Sequence, residues 1–105
     1  MKVLNAFALS MLEKFPASVK VEQLEFESAV QFAKETELVS FIGHKDTAAI
    51  VGKLLGVELP MRRETITVSK GETVLVSQYV GPRLPEGTIE LPEGAEIKFL
   101  LVTVE

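Results

Sequence analysis

Along this chain the spacing of apolar residues switches repeatedly between a period of two and one of about 3.6, the repeats of strand and helix. KVLNAF (2–7) reads as a strand, and ALSMLEKF (8–15) as a short helix that must stop before Pro16. SVKVEQLEF (18–26) alternates through Val19 and Val21 to Leu24 and predicts a second strand. EFESAVQFAKET (25–36) sets Phe26, Ala29, Val30 and Ala33 at helical spacing. LVSFIG (38–43) is short and almost wholly apolar, the pattern of a strand buried on both faces. KDTAAIVGKLLG (45–56) gathers Ala48, Val51, Leu54 and Leu55 on one helix face, with Gly56 as its C-terminal stop. ETITVS (64–69), ETVLVSQYV (72–80) and EIKFLLVTVE (96–105) read as strands, the first two joined as a hairpin by SKGE (69–72). The sequence LPEG occurs twice, at 84–87 and 91–94, as two proline-led turns that bring the chain to its last strand.

Six strands and three helices in this order predict one compact α/β domain over residues 1–105, a mixed β-sheet with about three flanking helices. Its 105 residues, 47% hydrophobic and 25% charged, suit one ordinary globular core. No apolar run approaches the ~20 residues that span a bilayer, so no membrane association is expected. Asn5, Ser10 and Glu13 interrupt the apolar start, and no small-residue cleavage site follows it, so no signal peptide is expected either. Without cysteine there is neither a disulfide framework nor thiolate chemistry. A soluble, cytoplasmic protein is the expectation.

Charge narrows the partners. A net charge of −4 argues against sequence-independent binding of duplex DNA, which needs a broad basic face. It leaves room for a small anion, because a pocket can be positive inside an acidic protein. The lysines are scattered, whereas all three arginines lie in PMRRE (Arg62, Arg63) and GPRLPEG (Arg83). The rigid fork of arginine suits phosphate oxygens, although surface pairing with glutamate is the common fate of a single arginine.

The chain has one histidine, His44, between Gly43 and a predicted helix that Asp46 or Thr47 can cap. Backbone N–H groups converge at such a junction and favour an anion, and α/β proteins place ligands at the strand ends. Local chemistry leaves two readings open, a functional histidine or a loop residue at a helix entry. One histidine, one aspartate and no cysteine make a poor inventory for a transition-metal site, so no metal and no cofactor are expected. No phosphate-cradling glycine motif is present, and no serine sits in a G-x-S-x-G elbow.

LNAFALSML (4–12), FIGHKDTAAIVGKLLG (41–56), Arg63 and SQYVGPRLPEG (77–87) together resemble a small family of archaeal and bacterial viruses and mobile elements. Its characterised members are type III anti-CRISPR ring nucleases, which destroy the cyclic tetra-adenylate second messenger. The resemblance covers nearly the whole chain and implies a homodimer that binds the cyclic RNA in a cleft across its two-fold axis. It puts the catalytic histidine on His44, and the active-site arginine and glutamate on Arg83 and Glu86. The ligand-contacting positions fall on Arg63, Asn5, Gly43 and Ser10. The chain departs from one member pattern, N-A-F-S-x-N-M-L, with Ala8 in place of serine and Ser10 in place of asparagine.

The implied chemistry suits this inventory, because RNA carries its own nucleophile in the 2′-hydroxyl. The protein must align that hydroxyl with the phosphorus, stabilise negative charge on the phosphoryl oxygens and protonate the departing 5′-oxygen. Arg83, with Arg63, suits the charge role and His44 the general acid. Glu86 orients Arg83 or the ribose. The alternative is a non-catalytic regulatory module that binds a nucleotide or a protein in the same cleft.

Overall fold

A computed structural model describes residues 1–105. Five strands form one mixed sheet: β1 (Lys2–Leu4), β2 (Val19–Leu24), β3 (Val39–Ser40), β4 (Thr73–Val80) and β5 (Glu96–Val104), in the spatial order β2-β5-β4-β1-β3. β1 runs parallel to both β3 and β4, while β5 is antiparallel to β4 and β2. Two α-helices complete the regular structure, α1 (Phe26–Glu35) and α2 (Lys45–Leu55).

The strand alternation sorts side chains into two apolar layers. On the helix side, Val3, Leu75 and Phe99 pack with Ala29 and Ala33 of α1 and Ala48, Val51 and Leu55 of α2. Small residues let the helices approach closely. A Cβ on Gly52 would lie 2.7 Å from the Val57 carbonyl oxygen, so only glycine fits where the chain turns back over α2. Gly56 ends that helix in the left-handed conformation, at φ 73°.

The other sheet face is covered without a helix. Leu4, Val74, Val76, Val102 and Val104 are buried there under Leu12 and Val68, with Phe7, Met11, Phe41 and Ile66 partly buried against them. This arrangement corrects two sequence expectations. Residues 8–15 form only a 3-10 turn at Leu9–Met11, so the flanking α-helices number two and not three. Leu12 is extended and makes an isolated bridge to Val68, which a continued helix would forbid. Residues 64–69 alternate as expected, with Ile66 and Val68 turned to the sheet, but they form no strand. Both flanks of β4 are already taken by β5 and β1, so no hairpin with 64–69 forms. SKGE does turn, with Glu72 N–H donating to the Ser69 carbonyl, but it carries the chain from the covering layer into β4. β3 is a two-residue edge strand, with Ser40 buried and Val39 exposed, and is not buried on both faces.

The two LPEG stretches adopt the same turn. Thr88 N–H donates to the Pro85 carbonyl and Ala95 N–H to the Pro92 carbonyl, with Gly87 and Gly94 both at φ 82°. They lie in the long connection between β4 and β5, alongside α2. No helix is long and apolar enough to cross a membrane.

Candidate functional site

The N-terminus of α2 opens onto a cleft of about 860 Å³, lined by Gly43, His44, Lys45, Asp46, Arg63, Tyr79, Gly81, Arg83, Leu84, Pro85 and Glu86. It lies where β3 hands over to α2 and where β4 ends, the strand-end position at which open α/β sheets take ligands. Three chain segments meet there, each held by a different device.

The first is the β3–α2 junction. His44, and neither Asp46 nor Thr47, is the N-cap of α2: its Nδ1 accepts from Thr47 N–H at 3.1 Å, with Thr47 Oγ1 2.9 Å from the same nitrogen. With Nδ1 occupied as an acceptor, the hydrogen of the neutral ring sits on Nε2. The N–H groups of Lys45 and Asp46 donate to no protein acceptor, which leaves two amides at the positive end of the helix dipole. Asn5, at the end of β1, accepts from Gly43 N–H at 3.3 Å and so sets the backbone just before His44.

The second segment brings in Arg63. Arg62 N–H donates to the Ile42 carbonyl at 2.9 Å, which fastens this stretch beside β3. The two adjacent arginines then part. The Arg62 guanidinium stands 5.0 Å from the centre of the Phe41 ring and 4.0 Å from Glu64. Arg63 runs its stem past Gly43, where a Cβ would meet the Arg63 Cγ at 3.6 Å, and lines the cleft.

The third segment follows β4. Tyr79 donates its phenolic hydrogen to the Pro82 carbonyl, shaping the turn into Arg83. Asp46 Oδ2 accepts from Gly87 N–H at 2.9 Å and ties the residue after Glu86 back to α2.

Electrostatically the cleft differs from the rest of the molecule. Lys45, Arg63 and Arg83 face two carboxylates, Asp46 and Glu86, a surplus of one positive charge on a chain whose net charge is −4. Neither Arg63 nor Arg83 forms an ion pair, although the chain has 15 acidic residues. Unpaired arginines beside a helix N-terminus are suited to an anion. No three His, Asp or Glu side chains gather in a group able to hold a metal ion.

Of the residues expected from sequence, His44, Arg63, Arg83, Glu86 and Gly43 share this cleft. Asn5 reaches it through Gly43 and lines an adjoining cavity of about 170 Å³ that also includes Arg63. Ser10 lies apart, exposed on the 3-10 turn and lining none of the cavities. Lys45, Asp46 as a tie and Tyr79 were not anticipated as site residues. The lone tyrosine inside SQYVGPRLPEG was the available signal for the last of these.

Comparison with known proteins agrees with this architecture. B116 of Sulfolobus turreted icosahedral virus (STIV) superposes with a TM-score of 0.80 and 26% identity, covering 97% of each chain. Uncharacterized protein YddF of Bacillus subtilis (strain 168) is 32% identical over 104 residues, 93% of this chain and 94% of its own. Uncharacterized protein 26 of a Sulfolobus islandicus filamentous virus is 28% identical over 87 residues, 83% of this chain and 73% of its own. The STIV B116-like family model matches residues 1–101, which takes in every segment of the cleft; this chain belongs to the STIV B116-like family.

Proposed function

We propose that this protein is a metal-independent ring nuclease, which cuts cyclic tetra-adenylate into linear di-adenylates in the cytoplasm and so switches off type III CRISPR signalling. One observation carries the reading. A single open cleft joins an imidazole, two carboxylates, two unpaired arginines and two free helix N-terminal amides. That is a phosphodiester-sized set of donors with a proton carrier beside it. The relatives in an archaeal virus and a bacterium are consistent with a gene that moves between such hosts.

In the proposed reaction a ribose 2′-hydroxyl gives up its proton to solvent, O2′ attacks the adjacent phosphorus and the P–O5′ bond breaks, its electron pair leaving on O5′. O5′ takes its proton from His44, and the product end is a 2′,3′-cyclic phosphate. Arg83 and Arg63 stabilise the charge that builds on the phosphoryl oxygens. Thr47 Oγ1, 2.9 Å from Nδ1, both donates and accepts, so it partners the ring in its neutral and its charged form. Glu86 orients Arg83 or the ribose.

A homodimer with its two-fold axis through the ring presents each of these groups twice, at opposite phosphates. Two cuts then give two di-adenylates, with linear tetra-adenylate only as a transient. The test is incubation with cyclic tetra-adenylate, followed by chromatography and mass analysis over a time course. Di-adenylates ending in 2′,3′-cyclic phosphate are expected. Tight binding without cleavage would replace this reading with a regulatory binding module, and mononucleotides as first products would exclude the two-fold geometry.

A further inference from the structure

Residues 81–95 form a loop whose two ends touch. A Cβ on Gly81 would lie 2.7 Å from the Ala95 Cβ and 2.9 Å from its Cα, so the base is closed as in an Ω-loop. This loop carries Arg83 and Glu86, yet none of its residues is buried, so core packing does not dictate its position. Farther along, Ile89 and Leu91 line a shallow groove with Phe26, Ile50 and Leu54, and Glu90 pairs with Lys53 at 2.8 Å. Beside the cleft, one hydrogen bond holds the loop to α2, from Gly87 N–H to Asp46 Oδ2 at 2.9 Å. It connects the residue two after His44 with the residue one after Glu86.

We propose that Asp46 is a positioning residue: its carboxylate latches the 81–95 loop to the first turn of α2 and holds Arg83 and Glu86 in register with His44. The reaction it serves rests on the ring-nuclease reading, whereas the latch itself does not. A carboxylate is favoured at a helix N-terminus, and its bond to an amide N–H is charge-assisted. Displacing reacting groups by about 1 Å costs up to about 100-fold in rate.

Asp46→Ala removes the acceptor, and Asp46→Asn keeps an acceptor oxygen without the charge. Amide exchange at Gly87, and kcat and KM for cyclic tetra-adenylate, are measured for both. The expected result for Asp46→Ala is faster exchange at Gly87, kcat lower by roughly 10- to 100-fold and KM within about threefold. Asp46→Asn restores the protection and most of kcat. Unchanged exchange at Gly87 in Asp46→Ala overturns the latch, and so does an equal loss of kcat in both variants. If the parent protein leaves the ring intact, the functional reading falls and the exchange measurement alone decides the latch.

Discussion

His44 and Thr47 meet at one atom: the Thr47 N–H donates to His44 Nδ1 at 3.1 Å, and the Thr47 hydroxyl oxygen stands 2.9 Å from it. The neutral imidazole caps the helix through Nδ1. To serve as a proton donor through Nε2 it must first be charged; Nδ1–H then donates to the Thr47 hydroxyl, and Nδ1 no longer accepts from the N–H. Two substitutions separate these roles. His44→Asn keeps a good capping side chain and is expected to hold stability and ligand affinity while cleavage falls ~10²–10⁴-fold. His44→Ala is expected to lose cleavage equally and about 0.5–2 kcal/mol of stability as well. Thermal melts, binding titrations and single-turnover rates decide. Cleavage by His44→Asn within a few-fold of the parent would leave the histidine as a cap alone.

Adjacent arginines make an internal control. Arg62 is spent on Phe41 and Glu64, while Arg63 and Arg83 line the cleft without a carboxylate partner. Arg63→Ala and Arg83→Ala are expected to weaken function, Arg83→Ala mainly in kcat. Arg62→Ala should stay near the parent. A larger loss for Arg62→Ala than for either neighbour would reverse the assignment.

Excess chelator gives a third prediction. His44, Asp46 and Glu86 line one cleft, but no metal-holding group of three forms among such side chains. Cleavage is expected to continue in EDTA. Loss of activity that an added divalent ion restores would require a different mechanism.

Burial opposes ionisation of Glu72, but the Lys2 ammonium at 2.9 Å and the Ser69 N–H at 3.1 Å outweigh it and hold the carboxyl below its ordinary range. A carboxyl lowered in the folded state contributes stability that is complete above its unfolded value, about 4.3, and lost as pH falls through the folded one. The part of the melting temperature that Glu72 supports should hold from pH 7 to about 5 and be lost below about 4. Glu72→Gln should start lower at neutral pH and fall less steeply in acid. An acid profile parallel to the parent's would remove Glu72 from the account.

Much of the fold was legible because some patterns admit one reading. Gly56 follows an apolar face of helical period, and α2 ends there. The alternation in 18–26 and 96–105 gave β2 and β5, which pair from Val19↔Val104 to Leu24↔Phe99. Segments 8–15 and 64–69 misled because Leu12, Ile66 and Val68 are apolar to cover a sheet face, a duty that fixes side-chain direction but not backbone hydrogen bonding. The site divided similarly. His44 and Arg83 stand out in the residues themselves, the family resemblance implies their roles and adds Glu86, and the three share one cleft. Asp46 showed no sequence signal beyond a helix start, because its partner Gly87 is 41 residues away.

The contact between Gly81 and Ala95 bears on how such a protein can diverge. Since the loop is pinched at its neck, the number of residues beyond the neck does not enter the β4–β5 register. Lengthening a closed loop is cheap, about 0.6 kcal/mol for each doubling. Past Gly87, the stretch 88–94 is thus the part of the chain that insertions and deletions can remodel, changing what covers Phe26, Ile50 and Leu54 while the sheet and the lining of the cleft stay as they are.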